Sequence, residues 1–126
     1  MKIEDLNLDV RTYNAAAAYG GDQMKVLKFE GRKITLVEIP KMNIHDELKA
    51  LQNMIGGYIE TICISKDAVM LVDEDGYCKC LPPNLAASAF VGQMIVGTAL
   101  VVGTAANADG DLYFTDVPKR FTKENA

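Results

Sequence analysis

A chain of 126 residues, 49% hydrophobic and 24% charged, is long enough to bury a core without disulfides or metal, and its composition excludes a disordered chain. A net charge of −4 argues against nucleic-acid binding by the surface as a whole, because phosphate affinity rests on clustered Lys and Arg. The three cysteines, Cys63, Cys78 and Cys80, are an odd set in apolar settings, which favours free thiols in a reducing compartment. The first ten residues are too acidic and polar for a secretory signal, and the longest apolar run, 94–102, is too short to span a bilayer. A cytoplasmic protein with no membrane partner is expected.

In residues 3–18, Leu6, Val10 and Tyr13 stand at helical spacing and four alanines follow, predicting a short helix that ends at Gly20-Gly21. Residues 1–23 therefore read as an N-terminal helical extension. Residues 24–29 and 34–39 alternate around Glu30-Gly31-Arg32-Lys33, the pattern of a hairpin closed by a glycine turn. Asn43 caps a helix with Asp46 and Glu47 in its first turn. Ile44, Leu48, Leu51 and Ile55 form its expected buried stripe, and Gly56 its end.

Residues 58–64 alternate strongly, with Tyr58, Glu60, Ile62 and Ile64 on one face and Ile59, Thr61 and Cys63 on the other. Strands are expected at 68–72 and, after the turn Asp73-Glu74-Asp75-Gly76, at 77–81. Pro82-Pro83 breaks the sheet, and Asn84 caps a short helix through Phe90. Residues 94–96 and 98–102 read as extended and buried, 112–114 as a last short strand, and 119–126 as a frayed polar tail. The order predicts a single compact α+β domain over 24–118, with a mainly antiparallel mixed sheet of five to six strands and two to three helices.

No catalytic motif stands out. Cys78-x-Cys80 offers two thiols on one strand face, but a zinc site needs about four ligands, and only Cys63, expected to be buried, and His45, on a separate helix, remain. Packed, inert cysteines are the expectation. Asp73-Glu74-Asp75-Gly76 lacks calcium-loop spacing; Asn107, Asp109 and Asp111 have it but are followed by Leu112 and Pro118 at the positions that need Gly and Glu. Gly92-x4-Gly97-Thr98 lacks the Lys of a phosphate loop. Neither metal nor cofactor is expected. Tyr58 and Glu60 share a strand face, where a carboxylate beside a phenol can orient a polar ligand. A solvent-facing strand side is the plainer reading of Glu60, and a helix cap that of Asn84.

Gly56-Gly57-Tyr58-Ile59-Glu60, Asp75-Gly76, Leu81-Pro82-x-Asn84 and Ile95-x-Gly97-Thr98, in this order and spacing, give the chain its likeness. Over about residues 24–102 it resembles the family called domain of unknown function 3846, found largely in phages, plasmids and other mobile elements of bacteria. The resemblance carries no activity. It implies the setting of a small accessory protein, of a kind that often counters host defence.

The expected function is a non-catalytic protein that binds a small polar ligand, a nucleotide-derived host signal among the candidates, as a homo-oligomer. Tyr58, Glu60, Asn84 and Thr98 are its expected polar groups, in a pocket at or near a subunit interface. The alternative is a protein-protein interaction module that caps a host or phage protein through a strand edge or the N-terminal helix. A third reading is an enzyme with Glu60 or His45 as acid or base and Tyr58 or Asn84 orienting the substrate.

Overall fold

The computed structural model describes residues 8–9 and 23–122. The elements are β1 (Leu8–Asp9), β2 (Gln23–Glu30), β3 (Lys33–Pro40), α1 (Ile44–Ile55), β4 (Ile59–Ser65), β5 (Ala68–Asp73), α2 (Leu85–Val91), β6 (Ala99–Ala106) and β7 (Leu112–Thr115), followed by a 3-10 turn at Lys119–Phe121. One sheet runs β1-β3-β2-β6-β5-β4, with β7 pairing the second half of β6. Only the two-residue β1 is parallel, to β3. This is the expected single α+β domain with a mainly antiparallel mixed sheet. At Leu8–Asp9 the backbone is a strand where a helix was expected; the rest of that predicted helix lies outside the described residues.

The sheet is covered on both faces, and the β2–β3 hairpin shows how. Met24 and Val26 oppose Ile39 and Val37, and all four pack under α1 with Leu51, Ile55, Leu71, Leu100 and Val102. One residue further on, the apolar positions change parity. Leu27 and Phe29 oppose Leu36 and Ile34, and these pack on the other face with Met70, Val72, Ala86, Ala87 and Val101. Because successive side chains alternate faces, each strand serves α1 with one half and α2 with the other. β5 and β6 lie inside the sheet, so most of their apolar residues, Ala68, Met70, Leu71 and Val72 in β5 and Ala99 to Val102 in β6, are buried, on both faces.

Both helices start and stop where the sequence indicates. Asn43 accepts a hydrogen bond from the Asp46 amide at 2.9 Å, and Gly56 ends α1 in the left-handed conformation. The expected α1 stripe is half right. Leu51 and Ile55 are buried, but Ile44 and Leu48 are 70% and 40% exposed. Glu47, four residues before Leu51, takes the buried place, and Leu48 falls on the flank. Burial pushes the Glu47 carboxyl above its ordinary value, against the lowering pull of Lys41.

Residues 119–122 are anchored where a frayed tail is expected over 119–126; the rest of that tail lies outside the described residues. Phe121 packs edge-on against Phe90, with ring centroids 5.4 Å apart. Arg120 lies over the Phe121 ring and grips both oxygens of Asp67 at 2.7 and 2.8 Å. The Arg120 guanidinium, with the Ser65 hydroxyl, holds the Asp67 carboxyl far below the usual carboxylate range. Among the described residues, no helix is long and apolar enough to cross a membrane.

Candidate functional site

The segment between β5 and β6 departs most from expectation. Residues 77–81 are not a strand. The Lys79 amide donates to the Asp75 carbonyl, the Cys80 amide to Tyr77, and the Leu81 amide to Gly76, at 2.9, 3.1 and 3.1 Å. The last two bonds are the nested pair of a Schellman motif, which closes a helical turn with a left-handed residue. Here that residue is Cys80, at φ 56°, where glycine is usual. Residues 94–96 form no strand either; Val96 makes a single bridge to Pro83. Ile95 is buried as expected, but Met94 is 58% exposed.

This corner is fastened by polar contacts. The Asp73 side chain is almost fully buried, and Lys79 Nζ donates to its Oδ2 at 2.7 Å. The same ammonium donates to the Gly56 carbonyl at 3.2 Å and so meets the negative end of α1, whose last turn carries no basic residue. The Lys79 hydrogen bond holds the Asp73 carboxyl below its ordinary value, against the opposing effect of burial. Gly57 makes this pair fit, since a Cβ there would lie 2.6 Å from Lys79 Nζ and 2.9 Å from Asp73 Oδ2. Tyr77 donates its hydroxyl to the Met94 carbonyl at 2.9 Å.

Asn84 ties the corner to the hairpin. Its Oδ1 caps α2 by accepting from the Ala87 amide at 3.0 Å. Its Nδ2 donates to the Phe29 and Gly97 carbonyls, both at 2.8 Å. All three bonds are internal and the residue is 1% exposed, so its polar atoms are already engaged. Gly97, at φ 76°, would press a Cβ to 2.7 Å from Leu81.

The four expected site residues do not share one pocket. Thr98 lines a hollow with Gly31, Ile55, Leu81, Pro82 and Pro83. Tyr58, 69% exposed, lines an open hollow with Gln52, Asn53, Asp75 and Lys79. Glu60, exposed on β4, lines a third cleft with Glu74, Tyr77 and Gln93 over Ile62, Val72, Ile95 and Val96. Asn84 lines none of these three. Of the Glu60 cleft's lining, Glu60 and Glu74 are exposed carboxylates and no residue is Lys or Arg.

Tyr77 and Gln93 are not candidates from the sequence, and Glu74 is one only as part of the Asp73–Gly76 turn, because a strand at 77–81 would not fold this segment beside Glu60. The one usable signal was Pro82-Pro83, which leaves little room for a strand after Gly76. All three cysteines are exposed, which corrects the expected burial of Cys63 and the packed setting of Cys78 and Cys80. Cys63 faces out because its side of β4 is covered only at Ile59, and the other two ride on the exposed helical turn. Among the described residues, no group of three or more His, Cys, Asp or Glu could hold a metal ion. His45 is exposed on α1 and lines none of the three hollows.

The residues that gathered here come from separate stretches: Gly56–Glu60, Asp75-Gly76, Leu81–Asn84 and Ile95–Thr98. A family model matches residues 24–125, from the first residues of β2 to beyond the 3-10 turn, and its description is a domain of unknown function, DUF3846. The chain belongs to this family. The match takes in the anchored end as well as the motifs that carried the resemblance. No curated protein and no solved structure matches the chain.

Proposed function

We propose that this member of the family is a non-catalytic binding protein that holds a small polar ligand, as a homo-oligomer, in the cleft at Glu60. The observation that carries the reading is the make-up of that cleft. Two exposed carboxylates, an amide and a phenol stand beside Ile62, Val72, Ile95 and Val96, with the Lys79-paired Asp73 also in the lining and no His or Cys among it. A few polar groups that orient, over apolar surface that buries, is the usual composition of a small-molecule site. The matching ligand presents hydroxyl or amino donors to Glu60 and Glu74 and a flat or apolar face to Ile62 and Ile95. A nucleoside-like ring and sugar fit this description; a bare phosphate would meet the carboxylates of Glu60, Asp73 and Glu74 and no Lys or Arg in the lining. The setting that the resemblance implies favours a role as an accessory protein of a phage or mobile element acting against host defence in the host cytoplasm.

Native mass spectrometry, before and after incubation with a bacterial metabolite extract, tests the reading. A stoichiometric adduct that leaves unaltered is expected, and Glu60→Gln should weaken it about tenfold, or ~1.4 kcal/mol. A spectrum without any adduct overturns the proposal, and an adduct released in altered form replaces it with an enzyme.

A further inference from the structure

We propose that two copies of this chain pair through β4, antiparallel and edge to edge about Thr61, so that the second copy's Ile62 stands beside Glu60. The inference rests on the oligomeric part of the reading above and names the surface.

The two ends of the sheet differ. β1 pairs the outer edge of β3 only at Ile34 and Thr35, whereas among the described residues β4 ends the strand order at the other side with no strand along its outer edge. The outward backbone groups of β4 follow from one hydrogen bond. The Glu74 amide donates to the Tyr58 carbonyl at 3.0 Å. Continued back along the β4–β5 register, Tyr58 is the residue opposite Glu74. Tyr58 is therefore a hydrogen-bonded position, and in an antiparallel ladder such positions alternate. Glu60 and Ile62 also bond inward to β5. Ile59, Thr61 and Cys63 turn their N–H and C=O groups outward. These residues carry none of the usual protections of an edge, neither Pro nor Lys, and the register shift in β4 comes only after Cys63.

This edge is complementary to itself in one register. A two-fold axis at Thr61 sets the three outward residues of each copy against those of the other, with Thr61 opposite Thr61 and Ile59 opposite Cys63. On the other face, Glu60 meets Ile62 and Tyr58 meets Ile64. The strand's only charge thus faces an apolar side chain and not its own copy. Tyr58, exposed in the single chain, gains a β-branched cross-strand neighbour, a pairing that stabilises sheets. Axes at the other outward residues do worse. One at Ile59 runs the pairing into Gly57, and one at Cys63 sets Thr61 against the shifted Ser65. An axis at Glu60 would oppose two carboxylates and two inward-bonded backbones. A surface matched to itself in this way is that of a closed, isologous dimer, so a second copy is the occupant.

Sedimentation velocity of the full chain over a concentration series tests this. The wild type is expected to form a dimer and Thr61→Pro to sediment as a monomer with an unchanged circular dichroism spectrum, because the lost N–H has no partner among the described residues. Should the proline disturb the strand, a second variant decides. Thr61→Cys, placed in a Cys63→Ser, Cys78→Ser, Cys80→Ser background, should oxidise to a covalent dimer, since opposed Cα atoms at a hydrogen-bonded pair lie about 5.5 Å apart. A wild type that stays monomeric at every concentration overturns the pairing; a metabolite adduct on that monomer would still support the Glu60 cleft. A dimer that survives Thr61→Pro and does not cross-link at position 61 also overturns it, while leaving the oligomeric reading in place.

Discussion

The β2–β3 hairpin and the corner at residues 73–98 are held by different physics. In the hairpin each contact repeats with the strand's period of two, and a single parity change after Val26 divides the apolar residues between α1 and α2. In the corner nothing repeats. Asp73 reaches Lys79, Tyr77 reaches Met94, and Asn84 reaches Phe29. The hairpin gains from area removed from water, which is non-directional and forgiving of shape. The corner depends on directional bonds, and at its buried members, Asp73 and Asn84, one wrong atom leaves partners unmet.

The sharpest way to break this contrast is to damage each region in its own terms. Phe29→Ala removes a fully buried ring that packs 5.2 Å from Phe90, and should cost about 3–5 kcal/mol in denaturant unfolding. Asn84→Asp should cost about 2–4 kcal/mol although it changes only one polar group. As a helix cap alone, Asp equals Asn. As a clasp it fails, because a carboxylate has no proton to give the Phe29 and Gly97 carbonyls. Asn84→Ala should therefore be no worse than Asn84→Asp. An Asp variant as stable as the wild type would reduce Asn84 to a cap.

This difference explains what the sequence disclosed. The hairpin, both helices with their caps, β4 to β6 and the α+β class follow from period and local punctuation, which short windows carry. The cap role of Asn84 was legible because its acceptor partner is three residues away. Its donor role was not, since Phe29 is 55 residues distant. The α1 stripe failed at Ile44 and Leu48 because spacing gives a direction but not where the covering sheet stops. Alternation likewise placed Cys63 opposite Ile62 without showing that α1 covers that face only at Ile59. Tyr58, Glu60 and Thr98 were read as candidates from residue type, yet they border three different hollows. Bringing Glu74, Tyr77 and Gln93 to Glu60 needed the turn at 75–80.

That turn was hidden by a single residue, and this yields the smallest of the predicted effects. A Schellman motif is recognised in sequence by the glycine at its left-handed position, and here Cys80 stands there with φ 56°. A side chain in that conformation costs about 1–2 kcal/mol, because Cβ crowds the following carbonyl. Cys80→Gly relieves the crowding but adds freedom to the unfolded chain, which returns roughly 0.5–1 kcal/mol of the gain. The variant should be more stable by up to about 1 kcal/mol, seen as a rise in Tm, with the Lys79–Asp73 pair undisturbed. In the hairpin the same change of residue type, Val26→Gly, has no strain to relieve and only empties a buried site. A fall in Tm for Cys80→Gly would mean that the thiol makes a contact the turn depends on, and that the corner was not built on a glycine's geometry with cysteine in its place.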